Sequence, residues 1–519
     1  MMRALTIVGL LLLGVSPASA QTDPMPNELA KKIEALIGGP DYAGARWGIL
    51  VVESKTGKVV YARNADELFA PASTTKLYSC AAAFLRFGCD HTFTTPLFQR
   101  GKVEKGVLTG DLILLATGDA ILGGRTMPDG KIAFRDQDHT YAGFTGNADL
   151  TEVDPLQGLK QLARQVKQRG ITRIAGEILL DDRLFPFQQA TGSGPRTVSP
   201  FQINDSLIDV QVTPGKAVGD PATVKLVPET RYAQVDVFVR TVGEKAAPRL
   251  TTRRVGPERF EVRGEIPLGA KPRVTILAVD EPTAFARALF IESLQAEGIQ
   301  VHASALSYPR ADLPTREAYP TLEKIAELKS APLSELLKVV LKVSHNLYAS
   351  TLPLMLVDKG IPTVEAGMKR EGEILAQLGV DVKAISLESG AGGGDGDRAS
   401  PRVTVQLLQK LFERPDHERF RDLLPILGVD GTLATVVEKN SPAKGSVWAK
   451  TGTYTDLDYL NDRKHLRSKA LAGYMKTAKG TPLTFAMFVN DVHLNKGVET
   501  SREGKQLGKL CETIYQFGP

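Results

Sequence analysis

The sequence predicts a multi-domain α/β protein in which helices and strands at both ends flank a β-rich middle. Three observations lead there. At 519 residues the chain is too long for one compact core and asks for about two to four domains. Toward both ends, stretches with helical spacing alternate with apolar, strand-like runs. Between about Ser206 and Val279 the apolar residues recur at every second position: Ile208/Val210/Val212, Val224/Leu226, Val235/Val237/Val239 and Phe260/Val262, punctuated by Gly and Pro.

Residues 1–20, MMRALTIVGLLLLGVSPASA, carry one arginine, an apolar stretch from Ala4 to Val15 and then Ala18-Ser19-Ala20. This is the pattern of a secretory signal peptide cleaved before Gln21. Its apolar stretch is shorter than the roughly 20 residues that span a bilayer, so no integral membrane span is expected and the mature chain is read as exported. ELAKKIEALI (28–37) places Leu29, Ile33, Leu36 and Ile37 on one helical face. WGILVVESKTGKVVYARNAD then reads as a hairpin turning at Ser54–Lys58, and a helix follows from Thr74 to near Gly88.

GVLTGDLILLATGD and RIAGEILLDD read as strands on either side of a helix in which Asp154 can cap, Pro155 suits the first turn and Gly170 can end it. Helices return after Glu281-Pro282. PLSELLKVVLKVSHNLYASTLPLMLV is long and apolar, two helices broken near Ser344, and VTVQLLQKLFER is another. SVWAKTGTY, ALAGYM and TFAMFVND are strands, and a last helix around Lys505–Tyr515 closes the chain.

A formal charge of +5 is too mild to argue for nucleic acid, and no basic helix, zinc-finger spacing or RNP-like run is present. Cys80, Cys89 and Cys511 form no CxxC and read as buried apolar residues. The histidines never fall at HxxxH or HExxH spacing, so neither a metal site nor a cofactor is expected.

Three short motifs carry chemistry. In PASTTKLYSC, Ser73 and Lys76 share a helix face. A serine hydroxyl becomes a nucleophile when a base takes its proton, and lysine serves only if burial and positive neighbours pull its pKa down from about 10.4. A second Ser-x-x-Lys, Ser441–Lys444, reads as a loop. Ser344-His345-Asn346 is the only Ser-x-Asn in the chain; at a helix break its serine can pass protons and Asn346 can hold a substrate amide. In AKTGT, Lys450, Thr451, Gly452 and Thr453 lie on an apolar strand whose edge can receive an extended peptide, with Gly452 permitting close approach and Lys450 supplying a cation. The earlier KTG at 55–57 sits in the hairpin turn and is set aside.

In this order the trio matches the SxxK, SxN and KTG set of penicillin-recognising serine enzymes. Nearly the whole mature chain resembles the low-molecular-mass class C penicillin-binding proteins, the D-alanyl-D-alanine carboxypeptidase/endopeptidases. GDLILLATGDAIL, GEILLDDRLF, SPFQIND and LPILGVDGTL add to the resemblance, as do the 271 positions from Ser73 to Ser344. It implies a β-lactamase/transpeptidase-like catalytic domain, an antiparallel sheet flanked by helices, split into 21–92 and 282–519. Residues 93–281 would be inserted, with 206–279 a small all-β module.

The resemblance further implies that Ser73 attacks the carbonyl of the penultimate D-alanine of a peptidoglycan stem peptide. Lys76 is then the base, and Ser344 shuttles the proton to the leaving nitrogen. Asn346 holds the substrate, Lys450 and Thr451 grip the terminal carboxylate, Gly452 and Thr453 line the site, and the N–H groups of Ser73 and Thr453 form the oxyanion hole. β-Lactams would acylate Ser73 as inhibitors. Two departures stand out: ESGAGGGDGD near residue 388 replaces an Asp-Gly-Ser-Gly-Leu-type loop, and TDLDYLNDRKHLRSKALAGY after KTG is longer and more charged than usual. The alternatives are a β-lactamase, for which no Glu-x-x-Leu-Asn segment is present, and a non-catalytic peptidoglycan-binding protein of the same fold.

Overall fold

A computed structural model describes residues 28–145 and 148–519. The expected signal peptide lies outside the described residues, among which no helix is long and apolar enough to cross a membrane.

The chain ends meet in one five-stranded sheet, ordered Val447–Asp458, Arg463–Lys476, Pro482–His493, Arg46–Glu53 and Val59–Arg63. Every neighbouring pair is antiparallel, and the register of the central pair sets Val51 opposite Phe485. RWGILVVE is apolar almost throughout because its strand is covered on both sides. Ile49 and Val51 join Phe485, Met487 and Val489 under helices Glu28–Ile37 and Ser501–Phe517. Leu50 and Val52 join Ala486 and Phe488 beneath helices Lys76–Phe87, Leu333–Lys342, Asn346–Met355 and Pro401–Phe412. The three cysteines are free thiols and buried, in keeping with their apolar reading.

A second sheet of six strands is built on Thr94–Glu104 and Val107–Leu115, with Ile178–Asp181, Arg173–Ile174, Gln300–Val301 and Glu323–Lys329. Helices Gln157–Gln168 and Pro282–Ala296 bury Leu159, Leu162, Val166, Phe285, Leu289 and Phe290 in the core of this part. The resemblance sets the return to the catalytic domain at 282, where the helical pattern resumes, yet helix Pro282–Ala296 and strand Glu323–Lys329 pack with the second sheet. Their apolar patterns suit either neighbour, which is why the pattern does not choose between them.

Beyond it lie two three-stranded sheets. One joins Thr223–Val227, Leu207–Thr213 and Arg273–Ala278; the other joins Gln234–Val242, Arg259–Pro267 and Arg249–Gly256. Val210, Val212, Val239, Val262 and Ile266 turn inward, the period-two pattern read as burial.

Candidate active site

Ser73 lies in a tight 3-10 turn, Ala72–Thr75, that runs directly into helix Lys76–Phe87. The turn starts with Ala72 in the left-handed region at φ 46°, a conformation that costs an L-residue about 1–2 kcal/mol. Neighbours on two sides hold it there. A Cβ on Gly392 would stand 2.1 Å from the Ala72 carbonyl oxygen, and one on Gly452 would stand 2.7 Å from that of Pro71. Gly452 is therefore a glycine because the serine turn itself packs against it, a closer reason than the approach of a substrate peptide.

Lys76 is wholly buried, and its Nζ has three neighbours: Ser73 Oγ at 2.9 Å, Asn346 Oδ1 at 2.6 Å and the Ala391 carbonyl at 2.7 Å. The orientation of the Asn346 amide follows from its other end, whose Nδ2 donates to the Ser193 carbonyl at 2.8 Å. Burial pulls the Lys76 pKa down to about 7, against weaker opposing contributions from Cys80 and Asp397. A neutral amine has two N–H donors and one lone pair. Asn346 Oδ1 and the Ala391 carbonyl can only accept, so they take both N–H groups. The lone pair is left for the Ser73 hydroxyl.

Ser344 occupies the break between helices Leu333–Lys342 and Asn346–Met355 at φ 64°, and the His345 ring caps the second helix by accepting from Tyr348 N. Lys450 Nζ donates to Ser344 Oγ at 2.8 Å and to the Thr451 carbonyl at 2.8 Å. Lys450 is also wholly buried, and burial followed by the charge of Lys76 pushes its pKa far down. Ser73, Lys76, Asn346, Ser344, Lys450 and the Thr451–Thr453 strand thus converge from three segments. Two pairings differ from the sequence expectation. The Ser344 hydroxyl is held by Lys450, whereas Lys76 bonds Asn346, and Lys450 is sealed beneath the strand rather than presented to the cleft.

The side chains of Thr451 and Thr453 leave the opposite face of that strand. Thr451 Oγ1 donates to Thr432 Oγ1 at 2.8 Å, and Lys469 on the adjacent strand donates to Thr453 Oγ1 at 2.9 Å. Burial lowers the Lys469 pKa to about 8. All four residues line a cleft of about 1420 Å³ that also meets Arg135, Asp136 and Arg273.

Several site residues carry no motif. Asp397 organises the glycine-rich loop that delivers the Ala391 carbonyl, accepting from Glu388 N at 2.7 Å and Gly394 N at 2.9 Å. A buried charge network lies behind Ser344. His139 bonds Asp209 at 2.7 Å and Asp205 at 2.6 Å, Arg125 bonds Asp138 at 2.7 Å and also Asp205, and Tyr348 donates to Asp205. Burial works against a charge on His139, but Asp209 and Asp205 outweigh it and raise its pKa to about 10. Asp138, His139 and Asp205 stand close enough to ligate a metal, but Arg125 already sets its guanidinium against both carboxylates. Asp205 belongs to the SPFQIND stretch; Arg125 and His139 had no spacing by which to find them.

Residues 29–510 match the D-Ala-D-Ala carboxypeptidase 3 (S13) family. The chain belongs to this family. It is 29% identical to the D-alanyl-D-alanine carboxypeptidase of Actinomadura sp. (strain R39) over 93% of this chain and 84% of that protein. It is 24% identical to the D-alanyl-D-alanine carboxypeptidase DacB of Haemophilus influenzae over 86% of each. The crystal structure of Haemophilus influenzae penicillin binding protein 4 (dacB) superposes with a TM-score of 0.70 at 23% identity, covering 93% of this chain and 99% of that one. A β-lactam complex of the same protein gives a TM-score of 0.68 at 23% identity, covering 94% and 100%. The S13 fold therefore accounts for this architecture, its transpeptidase-like sheet and its additional β-rich part included.

Proposed function

We propose that this S13 protein is an exported serine-type D-Ala-D-Ala carboxypeptidase/endopeptidase of peptidoglycan stem peptides that β-lactams inhibit. The observation that carries the mechanism is the amine of Lys76, buried, held by two pure acceptors and 2.9 Å from Ser73 Oγ, from which it follows that the neutral amine turns its lone pair to that hydroxyl.

In acylation the Ser73 oxygen bonds the carbonyl carbon of the penultimate D-alanine while its proton passes to Lys76 Nζ. The C–N bond then breaks. Ser344, fixed by Lys450 at the mouth of the helix break, passes its proton to the departing nitrogen and takes in its place the one that Lys76 received, so that Lys76 and Ser344 both end the step neutral. The backbone N–H groups of Ser73 and Thr453 receive the oxyanion, a contact worth roughly 10²–10³ in rate for each donor. Water hydrolyses the ester, returning the Ser73 proton and releasing the shortened peptide. A β-lactam follows the first step, but its leaving amine stays tethered, so the acyl-enzyme persists.

The test is incubation with benzylpenicillin followed by mass spectrometry of the peptides. An adduct on the Ser73 peptide, together with release of D-alanine from a D-Ala-D-Ala peptide by wild type and not by Ser73→Ala, is the expected result. Full activity of Ser73→Ala would overturn the proposal.

A further inference from the structure

The geometry points to Lys469 as the cation that receives the substrate carboxylate, the one on the carbon next to the scissile nitrogen. This inference rests on the DD-peptidase reading above and adds a specificity-determining residue to it.

The lysine of the KTG motif is badly placed for direct contact. Lys450 has no exposed surface, and its N–H groups are engaged by Ser344 Oγ and the Thr451 carbonyl. Alternate residues of a strand face opposite sides, so Lys450 and Gly452 turn toward the serine turn while Thr451 and Thr453 turn toward the large cleft. Lys469 is on the same side as the threonines. The sheet register pairs it directly with Thr453, and its Nζ donates to Thr453 Oγ1 at 2.9 Å.

Among the described residues that hydroxyl is the only hydrogen-bond partner of Lys469, and no carboxylate pairs with it. Glu503, the acid whose charge acts on Lys469, is engaged by Arg502 at 2.6 Å. An ammonium has three donors, so two remain for a ligand in the cleft that Thr451, Thr453 and Lys469 line together. A carboxylate beside Thr453 would take that residue's free O–H and the two remaining N–H groups of Lys469 Nζ, three donors around its two oxygens, while Thr451, whose O–H already goes to Thr432, lines the site. The substrates this selects are D,D-peptides with a free carboxylate at that carbon; their carboxamides would be discriminated against.

The experiment compares an acylated D-Ala-D-Ala peptide with its C-terminal carboxamide, on wild type, Lys469→Met and Lys469→Arg. Wild type prefers the carboxylate. In Lys469→Met, kcat/KM for the carboxylate peptide falls about 10- to 100-fold, the range for a hydrogen bond to a charged group. The carboxylate-to-amide ratio drops toward one, with the loss mainly in KM, and Lys469→Arg restores much of the preference. A ratio in Lys469→Met equal to that of wild type overturns the inference. If Lys469→Met does not fold, the same ratio in Lys469→Gln against Lys469→Arg decides. The benzylpenicillin adduct on wild-type Ser73 separates the two levels: without it the DD-peptidase reading itself fails, and with it an unchanged ratio removes Lys469 alone.

Discussion

The hydroxyl of Tyr141 donates to the carbonyl of Ser344 at 2.6 Å, joining residues 203 positions apart. Ser344 holds a left-handed backbone at the helix break, and this bond fixes the peptide unit that leads into His345 and Asn346. Tyr141→Phe removes the donor while keeping the ring. We expect kcat to fall about tenfold with a melting temperature within a few degrees of wild type, since one neutral hydrogen bond contributes about 1 kcal/mol. Steady-state kinetics beside a thermal melt measures both; unchanged kcat would show that Ser344 needs no such support.

Asp205 has a larger burden. It accepts from Arg125, His139 and Tyr348 in a site closed to water. Asp205→Asn keeps the shape but leaves Arg125 and His139 short of negative charge, and removing one partner of a buried charge network costs about 3–5 kcal/mol. Urea unfolding should show a loss of that size, accompanied by slower acylation of Ser73.

Glu371 is a buried carboxyl with no hydrogen-bond partner for either oxygen among the described residues. Burial, and then the charge of Asp397, raise its pKa to about 8. The folded protein therefore keeps a proton that the unfolded chain releases above about 4.5. Unfolding releases that proton, so this residue makes stability fall as pH rises from about 4.5 to about 8. Between pH 5 and pH 7.5, Glu371→Gln should gain roughly 3 kcal/mol relative to wild type, at about 1.4 kcal/mol per pH unit. Urea unfolding at the two pH values checks this; parallel pH dependences would contradict it.

Much of the fold was legible because burial leaves a period. Val51 and Leu50 face opposite cores, and their strand reads as continuous apolar sequence. The helix break was visible at Ser344 because Ser-His-Asn interrupts an apolar run. The SxxK, SxN and KTG motifs were legible because their chemistry is local in sequence. What stayed hidden depends on tertiary approach. Nothing in AKTGT tells that Lys450 is sealed beneath its strand, or that Thr453 pairs with Lys469 across a long hairpin. ESGAGGGDGD reads as a plain departure until Asp397 is seen folding it so that Ala391 presents a carbonyl to Lys76. Arg125, His139 and Asp205 meet only because three distant segments pack together.

The central claim is that burial brings the Lys76 amine to a pKa of about 7, so that a large share of it is free base at neutral pH and nearly all of it a little above. Its most direct test is the limiting rate of Ser73 acylation at saturating benzylpenicillin, followed from pH 5 to pH 10. Protonation of Lys76 removes the base, so the rate should rise through an apparent pKa near 7 and level off above it. A rate that shows no inflection near 7 and keeps climbing toward pH 10, as an ordinary solvated lysine would require, would contradict the account.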